Sequence, residues 1–158
     1  MELKIYNIIN NPVPQLNILK KIQVEEEDFE DDNKIVEIMN KYIHMDELNS
    51  EYVYALGLSY SLYPKGLLFV SKGKCDSCEV DMRDLATGLL LMGAEQFMCF
   101  HNHPGGQRKI SESDRISTRN YQNIANLLGL NFLSHIMITQ GYFDYCDIIE
   151  SEDYIPFS

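Results

Sequence analysis

The sequence predicts an α/β protein whose central sheet is covered by helices on both faces. Short apolar runs typical of strands alternate with three stretches in which apolar residues recur at helical spacing. Strands that are separated by helices favour this layered arrangement. The chain has 158 residues, 45% of them hydrophobic, which is the size and content of a single domain with a buried core.

The first half of the chain contains predicted strands on both sides of one helix. Residues 3–9 and 16–24 form strands joined by a turn at 10–14, where asparagines and prolines interrupt the apolar pattern. Two further strands, 51–60 and 66–71, follow the helix. The helix is predicted to begin near residue 34 and to place its apolar side chains on one face: Ile35, Ile38, Met39, Tyr42 and Ile43.

The second half continues the alternation. Residues 96–100 form a short apolar strand, as expected at the centre of a sheet, and 131–139 and 141–146 form a closing pair. The last helix, 111–128, ends at Gly129, a residue type typical of helix C-termini. Its predicted buried side chains are Ile116, Ile124, Leu127 and Leu128, and those of the preceding helix are Met82, Leu85, Ala86, Leu89 and Leu90.

Charge and composition argue against several classes of protein. The formal net charge is -11, and the acidic stretch 24–32 would repel a duplex, so direct binding of nucleic acid is not expected. That stretch is typical of a solvated loop or linker. No apolar run approaches the roughly 20 residues that cross a bilayer, and the N-terminus lacks the features of a signal peptide. We therefore expect a cytoplasmic protein with no membrane partner and with reduced cysteines.

The most informative segment is His101-Asn102-His103-Pro104-Gly105-Gly106. In extended backbone, residues two apart face the same side, so the two histidine rings can converge on one point. Ser111 follows as the predicted N-cap of a helix. Asp114 lies one turn inside that helix, from where its carboxylate can return to the imidazoles.

His101, His103 and Asp114 are a ligand set typical of a catalytic zinc site. Two histidines and one carboxylate leave one position of a tetrahedral zinc open to water, whereas structural zinc sites usually have four protein ligands. Two structural interpretations stay open at this point. Ser111 to Asp114 is also a common helix cap, and the histidine segment is compatible with a polar loop.

The spacing of these residues resembles the signature of the JAMM (MPN+) metallopeptidases, in which ten residues separate the His-x-His pair from the aspartate. The segments HNHPGG, SESDRISTR, LLGLNFLSHIMIT, VSKGK and MRDLATGLLLMGA resemble the RadC branch. The resemblance covers about residues 34–148, with N-terminal strands and an acidic segment before it (1–33) and a tail after it (149–158). It implies a three-layer α/β/α domain with a mixed central sheet, the JAB/MPN architecture, similar to that of cytidine deaminases. Longer RadC members carry an N-terminal helix-hairpin-helix region, for which we expect no room in this chain.

The resemblance also implies a mechanism. Glu51 stands where JAMM proteins carry a glutamate that is not a ligand, although Glu47 lies one helical turn upstream and competes with it. Zinc lowers the pKa of bound water, Glu51 would move the water proton to the leaving amine, and Ser111 would donate a hydrogen bond to the oxyanion. The predicted reaction is hydrolysis of an amide, peptide or isopeptide bond in a peptide or protein substrate. Without the resemblance, Glu51 is interpreted as an exposed carboxylate at a strand start.

The other cysteines and histidines are weaker candidates. Cys75 and Cys78 lack the second pair that a zinc ribbon needs, so we expect both thiols to be dispensable. His44 ends the first helix and is expected to interact with the exposed carbonyls there. His135 follows Ser134, where RadC relatives usually have aspartate. It is interpreted either as a buried histidine with a backbone partner or as a residue that supports the metal site.

Three alternative functions compete with the hydrolase. A zinc nucleobase deaminase carries His-x-Glu followed by Pro-Cys-x-x-Cys, which this sequence lacks. A metal-binding but non-catalytic interaction module is the main competitor, although such modules generally lose ligands that this chain keeps. A DNA-repair-associated accessory protein is opposed by the acidic net charge.

Overall fold

The computed structural model describes residues 1–73 and 80–146, which form one mixed sheet of seven strands. The order across the sheet is β2-β1-β4-β3-β5-β6-β7, with β1 parallel to β4, β5 parallel to β6 and the other neighbours antiparallel. Cys75, Cys78 and the C-terminal tail lie outside the described residues. The strands are β1 (Glu2–Asn10), β2 (Pro14–Gln23), β3 (Glu51–Leu58), β4 (Pro64–Gly73), β5 (Gln96–Asn102), β6 (Asn131–Thr139) and β7 (Tyr142–Tyr145).

Three α-helices lie in the described part of the chain: α1 (Asp32–Ile38), α2 (Met82–Leu91) and α3 (Glu112–Leu128). A 3-10 turn, Glu26–Glu30, precedes α1, and a π-helical segment, Met39–Ile43, continues it. Aspartates cap two of these helices, because the side chains of Asp31 and Asp81 accept hydrogen bonds from the first backbone N–H groups of α1 and α2. No helix among the described residues is long and apolar enough to cross a membrane.

The two faces of the sheet carry separate apolar cores, because successive side chains of a strand point to opposite sides. On β5, Phe97 and Cys99 pack with α2 and α3, whereas Met98 and Phe100 pack on the face that α1 covers. The predicted α/β architecture with helices on both faces is therefore confirmed, and its three layers are α1, the mixed sheet, and the α2 and α3 pair.

The predicted buried faces of two helices were partly wrong. Leu90 on α2 and Ile116 and Leu127 on α3 are exposed, with Leu127 at 68% of its full accessibility. The buried side of α3 instead begins with Asp114 and continues with Thr118, Tyr121 and Ala125. Apolar periodicity missed this face because two of its positions are an aspartate and a threonine that face the site described below.

The acidic stretch is also more ordered than a plain linker. Its glutamates are exposed, as predicted, but Phe29 is 2% exposed and belongs to the core beneath α1. The 3-10 turn places this single aromatic ring inward while the charged side chains stay in water. One buried ring among acidic residues is too weak a signal for periodicity to detect.

Candidate metal centre

β5 delivers both histidines to one face of the sheet. His101 lies on the same side of the strand as Cys99, which packs against α3. His103 follows the end of the strand, but its backbone N–H donates to the Ile138 carbonyl at 2.9 Å, so pairing with β6 continues. The two imidazole rings therefore meet, with 4.9 Å between their centroids.

The first turn of α3 supplies the carboxylate. Ser111 caps the helix by accepting the Asp114 N–H at 3.0 Å, and Asp114 Oδ2 accepts the Ser111 N–H at 2.8 Å. The same carboxylate faces the histidines, with Oδ1 3.0 Å from Nε2 of His101 and Oδ2 3.0 Å from Nε2 of His103. The helix-cap and ligand interpretations of this segment are thus both compatible with one side-chain position, because each carboxylate oxygen can accept more than one hydrogen bond.

The spacing of the three donor atoms fits a small metal ion. Nε2 of His101 and Nε2 of His103 are 3.0 Å apart, and each lies 3.0 Å from a different carboxylate oxygen of Asp114. Ligands that bind zinc tetrahedrally at about 2.0–2.1 Å are roughly 3.3 Å apart, so a shift of a few tenths of an ångström would admit the ion. Two nitrogens and one oxygen are also a donor set that suits zinc.

The electrostatics of the three side chains favour positive charge between them. Burial would raise the pKa of Asp114, but hydrogen bonds from His101 and His103 outweigh it and hold that pKa well below its usual range. Burial also opposes protonation of His103, yet Asp114, the Gln107 carbonyl and the charge of Glu51 together raise its pKa. A bound cation would be stabilised by the same negative charges that raise the pKa of His103.

Each histidine has a defined partner on its far nitrogen. Nδ1 of His103 lies 3.0 Å from the Gln107 carbonyl in an exposed loop. A carbonyl can only accept, so Nδ1 carries hydrogen and Nε2 is left to face Asp114. Nδ1 of His101 lies 2.7 Å from Nε2 of His135, which is 1% exposed. The interpretation of His135 as a supporting residue therefore agrees with its position.

A second group of donor atoms shares His101. His101, His135 and Cys146 place possible ligand atoms within 4.8 Å of one another. The two ring nitrogens are already hydrogen-bonded at 2.7 Å, and burial holds the pKa of His135 well below its usual range, an effect that His101 reinforces. Neither His135 nor Cys146 lines the open cavity beside the first group. An ion with a position free for water therefore fits the group of His101, His103 and Asp114 better.

Glu51 reaches this centre through the pairing of β3 with β5. Val53 pairs with His101 in antiparallel register, so Glu51, two residues earlier, lies beside His103. Glu51, His103, Ser111 and Asp114 line one cavity of about 350 Å³. The structure therefore brings the five predicted site residues together, since His101 is buried against His103 and Asp114.

Asn102 is a site residue that the sequence analysis missed. Its side chain is buried and faces away from the histidines. Oδ1 accepts the Tyr52 N–H at 2.7 Å, and Nδ2 donates to the Ser50 carbonyl at 2.9 Å, so the side chain contacts the residues on both sides of Glu51. Both backbone neighbours of Glu51 are thereby tied to β5. A polar residue at a buried strand position was the available signal, because such groups require a partner.

Glu47, the competing carboxylate, lines a different cavity, which includes His103, Pro104 and Gly105 but neither Ser111 nor Asp114. Its carboxylate lies 4.0 Å from Nδ1 of His44. The expected contact between the His44 ring and the helix carbonyls was wrong. His44 ends the π-helical segment with a left-handed backbone (φ 57°), and its ring faces Glu47 instead.

Comparison with known proteins assigns the family. The model of the RadC-like JAB domain matches residues 29–149, so the chain belongs to this family. Among curated relatives, a UPF0758 protein of Actinobacillus pleuropneumoniae serotype 5b is 32% identical over 74 residues, which are 46% of this chain and 34% of the relative. A UPF0758 protein of Xylella fastidiosa is 30% identical over 69 residues (44% and 31%), and one of Clostridium acetobutylicum is 28% identical over 95 residues (60% and 42%). The chain therefore spans less than half the length of these relatives, whose names state no activity.

Proposed function

We propose that this protein is a zinc-dependent hydrolase of the JAMM type that cleaves an amide, peptide or isopeptide bond. One observation carries the proposal. The Nε2 atoms of His101 and His103 lie 3.0 Å apart, each 3.0 Å from one carboxylate oxygen of Asp114, beside a cavity that Glu51 and Ser111 also line. This combination supplies the ligands, the base and the hydrogen-bond donor with which activated water can hydrolyse an amide.

The metal-binding part consists of two imidazoles and one carboxylate. This donor set is better suited to zinc than to magnesium or calcium, which prefer oxygen ligands. A zinc ion in such a site lowers the pKa of bound water towards neutrality and polarises a carbonyl oxygen. The three protein ligands leave one coordination position for that chemistry.

Glu51 is the proposed proton carrier. Its carboxylate shares the cavity with His103 and Asp114 and contributes negative charge at His103. It would accept a proton from water and return it to the leaving amine, which is general base and then general acid catalysis. The contacts of Asn102 to both neighbours of Glu51 favour a fixed position for this carboxylate.

Ser111 is the proposed oxyanion donor. Its Oγ accepts the Asp114 N–H, so its own hydrogen can still be donated into the cavity that it lines. The helix cap fixes the hydroxyl before substrate arrives, and such preorganised donors contribute a few kcal/mol to stabilisation of an oxyanion.

Metal binding and turnover can be tested together by comparing the two glutamates. Wild type should bind about one zinc per chain by elemental analysis and cleave at least one member of a panel of peptide and isopeptide-linked fluorogenic reporters. Glu51→Gln should keep zinc and lower the rate by roughly a hundredfold or more, the scale of lost acid-base catalysis. Glu47→Gln is the matched control, because Glu47 lines the neighbouring cavity, and its rate should stay close to that of wild type.

Two results would contradict the proposal. Wild type that takes up no zinc even after titration would remove the metal centre. Equal rates for wild type and Glu51→Gln would remove the assigned base. Zinc binding without turnover of any reporter, combined with a protein partner docked over the loop at 103–110, would favour a non-catalytic interaction module.

A further inference from the structure

We propose that Thr118 and His135 form a buried hydrogen-bonded chain that accepts the Nδ1–H of His101 when its Nε2 binds the metal, and that this chain supports His101 as a ligand. The chain runs from the backbone carbonyls of Asp114 and Cys146 to Oγ1 of Thr118 (2.9 and 3.2 Å), and from there to Nδ1 of His135 (2.8 Å). Nε2 of His135 then meets Nδ1 of His101 at 2.7 Å. The functional meaning of this chain rests on the proposed metal site, whereas its geometry does not.

A metal ion on Nε2 of His101 sets the direction of each hydrogen bond, because the ring hydrogen of His101 is then on Nδ1. A hydroxyl carries one hydrogen, so Thr118 accepts from His135 when it donates that hydrogen to the Asp114 or Cys146 carbonyl. The contact between Thr118 and His135 then requires hydrogen on Nδ1 of His135. Nε2 of a neutral His135 is left as an acceptor, and the short contact to His101 is satisfied when His101 carries hydrogen on Nδ1.

The consequence reaches the metal position. With Nδ1 protonated, the remaining nitrogen of His101 is Nε2, which lies 3.0 Å from both Asp114 and His103. In the opposite tautomer Nε2–H donates to Asp114, which satisfies the same contacts without a metal, and a metal ion on Nε2 selects the order described here. Metal-ligating histidines usually donate their far N–H to a carboxylate, a carbonyl or water. Here the acceptor is another imidazole, oriented in turn by a threonine.

Because these side chains are buried, water cannot replace the hydrogen bonds that they make. Thr118, His135 and His101 are 0%, 1% and 2% exposed. Neither Thr118 nor His135 lines the cavity beside the metal position. Water cannot take over a lost partner at these positions without a cavity to hold it. Removal of the Thr118 hydroxyl or the His135 ring should therefore weaken His101 as a metal ligand.

The test uses one isosteric variant, one conservative variant and one control. Thr118→Val keeps the shape of the side chain and removes the hydroxyl, whereas Thr118→Ser keeps the hydroxyl. Ser134→Ala is the control, because Ser134 is a buried residue next to His135 on β6 whose side chain points to the opposite face. Thermal unfolding of all variants reports whether the fold is retained.

Two readouts separate tautomer control from general packing. In zinc-loaded protein labelled with 15N, long-range correlation spectra should show hydrogen on Nδ1 of both His101 and His135 in wild type, Thr118→Ser and Ser134→Ala, and a mixture of tautomers at His135 in Thr118→Val. Zinc affinity, measured against a competing chelator, should fall about 10- to 100-fold in Thr118→Val, the usual effect of losing a partner behind a ligand. Thr118→Ser should restore most of the affinity.

Zinc-loaded wild type in which His135 carries hydrogen on Nε2 alone would overturn the inference. So would a Thr118→Val variant whose spectrum and zinc affinity match those of Ser134→Ala. If wild type binds no zinc, the proposed function fails and the metal-free ring spectrum alone decides: His135 signals that change in Thr118→Val but not in Ser134→Ala support the chain, and unchanged signals contradict it.

Discussion

His101 and His103 have the same predicted task, but the molecule supports them in opposite ways. His101 is held from behind by a buried imidazole and a buried hydroxyl that belong to β6 and α3. His103 is held by the backbone carbonyl of Gln107 in an exposed loop, and that loop contacts β7 through Arg108, whose guanidinium lies 4.6 Å from the centre of the Tyr142 ring. One ligand is thus fixed by the core, and the other by a local turn.

The difference indicates how the site is divided. On the buried side, a hydrogen-bonding group that is lost leaves its partner unpaired, because water cannot take its place. The loop side borders the two cavities that share His103 and Pro104, where a substrate would have to enter. Substitutions on the core side should therefore lower zinc affinity strongly, whereas substitutions on the loop side should lower it far less.

The largest effect is expected from the ligands that the two supports serve. His101→Ala, His103→Ala and Asp114→Ala should each weaken zinc binding by more than the roughly hundredfold that a supporting residue costs. Asp114→Ala should also lower the free energy of unfolding by about 1 kcal/mol through its role in the helix cap. Elemental analysis after dialysis checks the metal, and unchanged zinc in all three variants would rule out this assignment.

A smaller effect is expected from the core support, and the size of the loss in zinc affinity depends on hydrogen bonding. His135→Leu leaves the far N–H of His101 without an acceptor, so zinc affinity should fall about 10- to 100-fold. His135→Gln offers an amide oxygen to His101 and an amide N–H to Thr118, so it should retain more affinity than His135→Leu. Chelator competition measures both variants, and equal losses would show that ring volume matters and not the donor pattern.

The smallest effect is expected from the loop support. Arg108→Ala removes a cation-π contact worth about 0.5–1 kcal/mol at an exposed site, and it leaves the Gln107 carbonyl in place. Zinc affinity should change by less than about fivefold, which corresponds to that energy. A loss in Arg108→Ala as large as in His135→Leu would contradict the division between a core side and a loop side.

Sequence reasoning predicted the parts of this site that depend on local spacing. His101 and His103 converge because they are two residues apart on a strand, and Ser111 and Asp114 meet because a capping box links the first and fourth positions of a helix start. The position of Glu51 came from resemblance to a family. The alternation of strands and helices likewise predicted the layers and most element bounds to within a few residues.

The parts that sequence reasoning missed depend on contacts between distant segments. Asn102 and Ser50 are far apart in sequence, as are Thr118 and Cys146, so no local pattern links them. Thr118 was overlooked for a second reason: helix faces were assigned from apolar residues, and a buried threonine that serves a histidine does not add to an apolar stripe. When the buried face of a helix is assigned from sequence, polar residues at helical spacing from a ligand should be counted along with the apolar ones.

X-ray absorption spectroscopy of the zinc-loaded protein tests the central claim most directly, because it identifies the atoms that bind the ion. The proposed centre predicts a first shell of nitrogen and oxygen at about 2.0–2.2 Å, with imidazole scattering from two histidines and no sulfur. A zinc–sulfur distance near 2.3 Å would contradict it. That result would assign the metal to a cysteine, either Cys146 beside His135 or the pair Cys75 and Cys78, and not to His101, His103 and Asp114.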